Sequence, residues 1–204
     1  MRIAIVGGTG PFGRGLAIRL REAGHGVVIG SRDRHRAGTV AAELGVAGAP
    51  NAEAVGRAEL VVLAVDADAA VPTARDLHAS IEVPVLSVAS QLEFAGGTAR
   101  PSPDIRSVAE KVADALHVPV VSGLHSLPAS ELARSKPDAD ALMCGTDGEA
   151  KDLALALAAD IVAGRAVDCG PLPVARALEA MTAVLLNVNR RYRTHAGLRL
   201  TGLA

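Results

Sequence analysis

The first thirty-two residues constrain the fold more than any other part of the chain. A short apolar run, Ile3 to Val6, is followed by a Gly-x-Gly-x-x-Gly pattern that begins at Gly8. A stretch with apolar residues at helical spacing comes next, and a second apolar run covers residues 27–29. The order strand, glycine turn, helix, strand predicts the opening of a dinucleotide-binding α/β fold.

The glycines have a mechanical role in this interpretation. A turn from strand into helix, and a pyrophosphate lying close to the main chain, both need residues without a Cβ. Free amides at the start of the helix, between Gly10 and Gly13, would then bind the phosphates together with the helix dipole. The alternative is a glycine-rich turn that binds no nucleotide.

The end of the second predicted strand indicates which cofactor binds. An NAD site would place an acidic residue there, but this chain has Ser31 and Arg32, followed by Arg34 and Arg36. A hydroxyl and guanidinium groups suit a ribose 2′-phosphate, so we expect NADP rather than NAD. Asp33 lies just past the strand and could cap the next helix instead. Arg34 and Arg36 could equally form a solvated helix face.

Beyond residue 32, apolar runs and helical patterns alternate, which is typical of a parallel sheet covered on both faces. The fold class is therefore α/β, with a Rossmann-type, doubly wound, mainly parallel sheet. Strands are predicted at 60–65, 83–89, 118–124, 140–145, 166–169 and 198–201. Helices are predicted at 33–44, 70–80, 105–116, 147–162 and 173–192, with a short one capped by Asn51. Residues 45–50 are predicted to be irregular, and residues 90–104 to be the longest loop.

Polar residues follow the carboxyl ends of the predicted strands, where such sheets bind ligands. Asp66 and Asp68 follow the strand at 60–65 and could act in acid–base chemistry or cap the next helix. His125 follows the strand at 118–124 and either contacts a ligand or makes a structural hydrogen bond. The 90–104 loop leaves the sheet at the same edge, and we expect it to carry function.

Composition excludes several other classes of function. A net charge of −1 and three aromatic residues give no indication of binding to nucleic acid or to an anionic membrane. Cys144 and Cys169 are far apart, so no metal site is expected. The sequence has no run long enough to span a bilayer and no signal-peptide pattern, so we expect a cytoplasmic protein. The apolar character of the last long helix suggests a homodimer.

Four motifs together resemble the NADPH-dependent reductases of the deazaflavin coenzyme F420. They are GGTGPFG at 7–13, GSR at 30–32, HSLPA at 125–129 and GPLPVARALEAMTAVLLNVNRRY at 170–192. The resemblance implies an NADP-binding Rossmann domain over residues 1–130. It also implies a smaller C-terminal α/β domain over residues 131–204, which completes the pocket for the second substrate. The reaction implied is hydride exchange between C4 of the nicotinamide and C5 of F420.

The resemblance also implies a set of cofactor contacts. The pyrophosphate would be held by Thr9 and the loop glycines Gly7, Gly8, Gly10 and Gly13, and Pro11 and Phe12 of the same loop are also expected to contact the cofactors. The 2′-phosphate would contact Ser31, Arg32 and Arg36, and the nicotinamide would lie near Ala64 and Val65. The deazaflavin would be bordered by Val88, Ala89, Ser90, Leu92, His125 and Ser126. No general acid is expected, because two carriers exchange the hydride, and His125 would only hydrogen-bond the deazaflavin.

The chain departs from the family at 66–68, 90–92 and 125–126, all beside the expected second substrate. Two other functions therefore stay open. One is an NADPH- or F420H2-dependent reductase of a small carbonyl, imine or dehydrated biosynthetic substrate. The other is a non-catalytic sensor that binds NADP and regulates a partner. Arg190, Arg191 and Arg193 either bind the acidic tail of F420 or form a solvated helix end.

Overall fold

A computed structural model describes residues 1–203, and its centre is an eight-stranded sheet. Ten strands occur in the described residues: β1 (Arg2–Val6), β2 (Gly26–Ser31), β3 (Ala47–Pro50), β4 (Leu60–Leu63), β5 (Val85–Ser87), β6 (Leu92–Ala95), β7 (Thr98–Pro101), β8 (Val120–Gly123), β9 (Ala141–Gly145) and β10 (Ala166–Asp168). The large sheet has the order β10-β9-β8-β5-β4-β1-β2-β3. All neighbours in it are parallel except β8 and β9. The predicted fold class is confirmed.

Helices cover both faces of this sheet. They are α1 (Pro11–Glu22), α2 (Arg34–Leu44), α3 (Asn51–Val55), α4 (Ala67–Leu77), α5 (Val108–Ala115), α6 (Ala129–Arg134), α7 (Glu149–Ile161) and α8 (Ala175–Tyr192), with a 3₁₀ turn at Leu172–Val174. Successive residues of β1 belong to different cores: Ile3 and Ile5 pack with α1, α2, α6 and α7, whereas Ala4 and Val6 pack with α3, α4, α5 and α8. A strand buried on both faces has the continuous apolar run that the sequence shows.

Residues 45–50, predicted to be irregular, contain the edge strand β3, which pairs in parallel with β2. Its sequence, Ala-Gly-Ala-Pro, has no β-branched residue and so gave no strand signal. The small side chains let helix α2 approach closely. A Cβ at Gly48 would lie 2.8 Å from the methyl group of Ala41.

Residues 90–104, predicted as a loop, contain the antiparallel hairpin β6–β7. Gly96 and Gly97 both have positive φ angles, 56° and 75°, as a two-residue hairpin turn requires. The hairpin is bound to α8 through Asn187. The side-chain oxygen of Asn187 accepts a hydrogen bond from the N–H of Ala99 (2.9 Å), and its amide nitrogen donates to the carbonyl of Ala99 (2.8 Å).

The predicted strand at 198–201 is wrong, because these residues join neither sheet. They lie instead against Asp140, whose side chain is fully buried. The backbone N–H groups of Leu200 (2.8 Å) and Arg165 (2.9 Å) donate to the Asp140 carboxylate, as does the Arg165 guanidinium (3.1 Å). These hydrogen bonds lower the pKa of Asp140 to about 2. Asp140 therefore anchors the C-terminal segment as a charged group.

Helix α6, which the sequence did not predict, follows directly after the HSLPA motif. It packs on α1 so closely that a Cβ at Gly15 would lie 2.9 Å from the carbonyl oxygen of Ala129. Strands from both sides of residue 130 share one sheet. The division into two domains at that residue stays a prediction. Among residues 1–203, none of the helices combines the length and apolar character needed to cross a membrane.

We predict that Asp140→Ala lowers the free energy of unfolding by about 2 to 3 kcal/mol, because several hydrogen bonds to one buried charge are lost. Urea denaturation measures this change. Asp138→Ala is the matched control: Asp138 is 81% exposed and pairs with Arg199 on the same C-terminal segment. Its loss should change stability by less than about 1 kcal/mol. Equal effects of the two substitutions would contradict the anchoring role of Asp140.

Candidate active site at the carboxyl edge of the sheet

Two cavities meet at the carboxyl end of β4. The first, of about 240 Å³, is bordered by the turn after β1 and by the end of β2. The second, of about 330 Å³, is bordered by the ends of β5 and β8 and by the second half of α8. Val65 and Asp66 border both cavities. The two spaces therefore form one trough across the edge at which parallel sheets bind ligands.

The glycine turn forms the floor of the first cavity, through Gly7, Thr9 and Gly10. Gly7 has a φ of +81°, and a Cβ there would overlap the carbonyl group of Ala64 and lie 2.8 Å from Val65. Gly13 is equally restricted, because its Cβ would lie 2.6 Å from the Cα of Gly8. Glycine is thus required by conformation at one position and by packing at the other.

Helix α1 begins at this turn and is open to an anion. Its N-cap is Gly10, and no side chain caps its first amides. Uncapped amides at a helix N-terminus bind phosphate groups, and the helix dipole favours the negative charge. Pro11 occupies the first helical position, where it has no N–H to leave unsatisfied. Phe12, predicted to contact a cofactor, borders the second cavity.

Two arginines at the end of β2 border the first cavity. Arg32 and Arg36 are exposed, and the structure pairs neither with a carboxylate in residues 1–203. Asp33 caps α2, since its carboxylate accepts hydrogen bonds from the N–H groups of His35 (2.8 Å) and Arg36 (3.2 Å). Arg34 lies outside the cavity and forms an ion pair with Glu53. Asp33 thus caps a helix, and Arg34 lies on the surface outside the cavity. Ser31, Arg32 and Arg36 line the cavity together.

Asn51 is a cavity residue that the sequence did not predict as one. It was expected to cap α3, but Pro50 holds that position and Asn51 is the first helical residue. Its side-chain oxygen is buried, has no hydrogen-bond partner in the described chain, and would lie 2.8 Å from a Cβ at Gly30. The glycine of the GSR motif thus leaves room for this amide beside the first cavity.

The end of β4 joins the two cavities. Ala64 and Val65 border the first cavity, as predicted. Asp66 occupies the N-cap position of α4, but its carboxylate makes no capping hydrogen bond and lies exposed between the two cavities. Asp68 lies in the first turn of α4 and borders neither cavity. Capping by a side chain, one of the two readings of these aspartates, is therefore not seen.

The second cavity brings together every residue predicted around the deazaflavin: Val88, Ala89, Ser90, Leu92, His125 and Ser126. Its opposite wall comes from α8, which supplies Thr182, Leu185, Leu186 and Asn189. The sequence did not predict this wall. The apolar spacing in α8 indicates a buried face but not which end of the sheet the helix crosses. Ser126 is buried, and its hydroxyl donates to the carbonyl of Asp140 (3.1 Å).

His125 is held by hydroxyl groups on both sides of its ring. Ser90 Oγ lies 3.0 Å from His125 Nδ1, and Ser122 Oγ lies 2.9 Å from His125 Nε2. Burial lowers the pKa of His125 to about 4, because a buried ring loses the hydration of its charged form. The side chain is therefore a neutral hydrogen-bonding group at neutral pH.

The sequence matches a family model described as NADP oxidoreductase, coenzyme F420-dependent, over residues 2–91. An F420-dependent NADP reductase of Methanothermobacter marburgensis is 37% identical, and the match covers 100% of this chain and 99% of the relative. This chain belongs to the family of F420-dependent NADP reductases. A third comparison agrees: the F420-dependent NADP reductase of Methanocaldococcus jannaschii is 33% identical, with coverage of 100% and 99%. The predicted family is confirmed.

The fold is shared with solved structures as well. The crystal structure of a protein from Arthrobacter sp. FB24 superposes with a TM-score of 0.84 at 24% identity. The superposition covers 99% of this chain and 100% of that one. At this identity the likeness concerns the fold alone. The α8 wall and the reversed strand β9 are thus parts of an architecture that the two chains share over their full lengths.

The arginines at the end of α8 border neither cavity in this family member. Arg190 packs over the hairpin turn, where a Cβ at Gly97 would overlap its guanidinium group. Within residues 1–203, Arg190, Arg191 and Arg193 form no ion pair with a carboxylate. Contact with the acidic tail of F420 stays a prediction for this cluster.

We predict that His125 stays neutral from pH 5.5 to 8.5, so that its ring ¹⁵N chemical shifts do not change over that range in NMR spectra. The same histidine in urea-unfolded protein is the control and should titrate near its ordinary pKa of about 6.5. Because the folded-state pKa is depressed, the unfolded chain takes up this proton first as the pH falls. The contribution of His125 to stability should therefore decrease as the pH falls from about 6.5 towards 4. A folded-state titration near pH 6.5 would contradict this.

Proposed function

We propose that this chain transfers a hydride between NADP(H) and the deazaflavin coenzyme F420. The observation that carries the proposal is the trough, whose two adjacent cavities share Val65 and Asp66 in their walls. One cavity has the features of a dinucleotide-phosphate site and the other has room for a second ring. The curated relatives that match the whole chain are F420-dependent NADP reductases.

The first cavity supports binding of NADP(H). The uncapped amides of α1 suit the pyrophosphate, because they are unsatisfied donors on the positive end of a helix dipole. Arg32 and Arg36 suit the 2′-phosphate, since neither guanidinium is neutralised by a carboxylate in the described residues. Asp33, the acidic side chain that directly follows this strand end in the sequence, is occupied at the start of α2. The ribose site therefore has cations where an NAD site would have an anion.

The second cavity supports the transfer itself. The two cofactors supply the hydride chemistry, so the protein has to align two rings and exclude water. Val65, Val88 and Leu186 provide aliphatic walls for flat rings, in a chain that has almost no aromatic residues. His125 is neutral at neutral pH, so it cannot serve as a general acid in the way that a protonated histidine does. In this mechanism His125 makes hydrogen bonds within the cavity wall.

The first test is a spectroscopic assay of hydride transfer. The purified chain, mixed with NADPH and oxidised F420, should bleach the visible absorbance of the deazaflavin, and NADH should be a much poorer donor. Binding of NADPH without bleaching would contradict the proposal and favour a sensor or a reductase of another acceptor. Absence of NADPH binding would contradict the assignment of the first cavity as well.

Arginine variants sharpen this test. Arg32→Ala and Arg36→Ala should each lower the affinity for NADPH about tenfold or more, because a charge-assisted hydrogen bond to phosphate is lost. The affinity for NADH, which has no 2′-phosphate, should change little. Arg34→Ala is the matched control, since Arg34 pairs with Glu53 outside the cavity. An equal loss of affinity for NADPH and NADH would contradict the 2′-phosphate assignment.

We also propose that the chain forms a homodimer through α8. Val184, Val188 and Tyr192 are spaced by four residues and form one stripe along the helix. Val184 is 59% exposed and Tyr192 is 69% exposed, which is unusual for large apolar residues. Val184→Glu should convert a dimer into a monomer in light scattering, whereas Ile105→Glu, outside the stripe, should not. A monomeric wild-type chain would contradict the proposal.

Location in the cytoplasm stays a prediction.

A further inference from the structure

A chain of hydrogen bonds runs through the wall of the second cavity. Ser122 Oγ lies 2.9 Å from His125 Nε2, and His125 Nδ1 lies 3.0 Å from Ser90 Oγ. Ser90 Oγ lies 2.9 Å from Thr182 Oγ1, and Thr182 Oγ1 lies 3.3 Å from the carbonyl oxygen of His125. These contacts connect the ends of β5 and β8 with α8.

The donor and acceptor of every hydrogen bond in this network follow from the contact between Thr182 and the carbonyl oxygen of His125. When all four contacts are hydrogen bonds at the same time, the Thr182 hydroxyl donates its single proton to the carbonyl of His125, because a carbonyl oxygen only accepts. Thr182 must then accept from Ser90, and the Ser90 proton is used in that bond. Ser90 in turn must accept from His125, which places the ring proton on Nδ1.

The remaining bond is then determined as well. A neutral imidazole has one N–H, so His125 Nε2 is an acceptor and the Ser122 hydroxyl donates to it. Burial of His125 favours this neutral form of the ring. All of the protons on these side-chain groups are thus committed to bonds inside the wall.

At Ser90 and Thr182 the cavity wall therefore presents lone pairs. Ser90 Oγ and Thr182 Oγ1 each donate once and accept once within the network, which leaves each oxygen one acceptor site. Both residues border the second cavity. A ligand N–H or O–H group facing them gains a hydrogen bond, whereas a ligand carbonyl or carboxylate oxygen would face an unpaired acceptor and lose affinity.

We propose that Ser90 and Thr182 select the second substrate by accepting a hydrogen bond from one of its ring N–H groups. His125 is a positioning residue, since its Nδ1–H fixes the Ser90 oxygen as an acceptor. The inference rests on the proposed function, because the deazaflavin ring carries one N–H between two carbonyl groups. The nicotinamide carboxamide is a second source of N–H, and the experiment separates the two.

The test needs no ligand in its first part. Long-range ¹H–¹⁵N NMR spectra of the whole chain should show His125 protonated at Nδ1 and unprotonated at Nε2. Thr182→Val removes the acceptor for the Ser90 proton, so Ser90 can turn its hydroxyl to His125 and the Nε2–H form should become populated. Thr182→Ser should restore the wild-type spectrum. A wild-type ring protonated at Nε2 would overturn the inference.

The second part measures affinity. Thr182→Val should weaken binding of oxidised F420 about tenfold, which is the effect of about 1.4 kcal/mol, and should leave NADPH affinity unchanged. Thr182→Ser should restore F420 affinity. Thr39→Val is the matched control, because the Thr39 hydroxyl also donates to a backbone carbonyl, that of His35, on the exposed face of α2 and outside both cavities. Circular dichroism and urea denaturation would confirm that the variants fold.

The outcomes distinguish this inference from the proposed function. Failure of the wild-type chain to bind F420 would refute the proposed function, whatever the histidine tautomer. If the wild-type chain binds F420 and Thr182→Val binds it equally well, the selection by hydrogen-bond acceptors would be refuted and the proposed function would not. A loss of NADPH affinity without a loss of F420 affinity would place the donor on the nicotinamide and overturn the assignment to the second substrate.

Discussion

The close approach of the glycine turn to the end of β4 is the contact on which the rest of the site depends. Gly7 lies against Ala64 and Val65 at a separation that no Cβ would fit. β1 and β4 are central neighbours in the sheet, so this contact divides its carboxyl edge at one point. The uncapped N-terminus of α1 lies at one cavity, and the polar wall of β5, β8 and α8 borders the other. Val65, which borders both cavities, lies at the boundary between them.

The reversed strand β9 determines what forms the far wall. β9 runs antiparallel to β8 and β10 runs parallel to β9, so the chain leaves β10 heading away from the carboxyl edge. α8 then has to run back towards that edge. Its first turns pack in the core through Ala175 and Leu178, and Thr182 is the first of its residues to border the cavity. One antiparallel pairing thus places Thr182 opposite Ser90.

The sequence predicted those parts of the molecule whose signals are local. The glycine turn, the Ser31–Arg32 pair and the polar strand ends each lie within a few residues of the element that positions them, and the structure places them at the trough. Thr182, Asn51 and β3 were missed because their roles depend on contacts between distant segments. The hairpin at 92–101 is different: its Gly96-Gly97 pair was a usable turn signal, but the flanking strands are mostly exposed and lack an apolar alternation.

Asn187 has a consequence for the behaviour of the chain at high concentration. A two-stranded hairpin that stands apart from the main sheet has free backbone groups on both outer edges, and such edges recruit extended segments of other molecules. At Ala99, the side-chain amide of Asn187 makes the pair of hydrogen bonds that a neighbouring strand would make. A helix thereby occupies the position of the missing strand. The hairpin, which borders the second cavity, is protected at this edge against edge-to-edge aggregation.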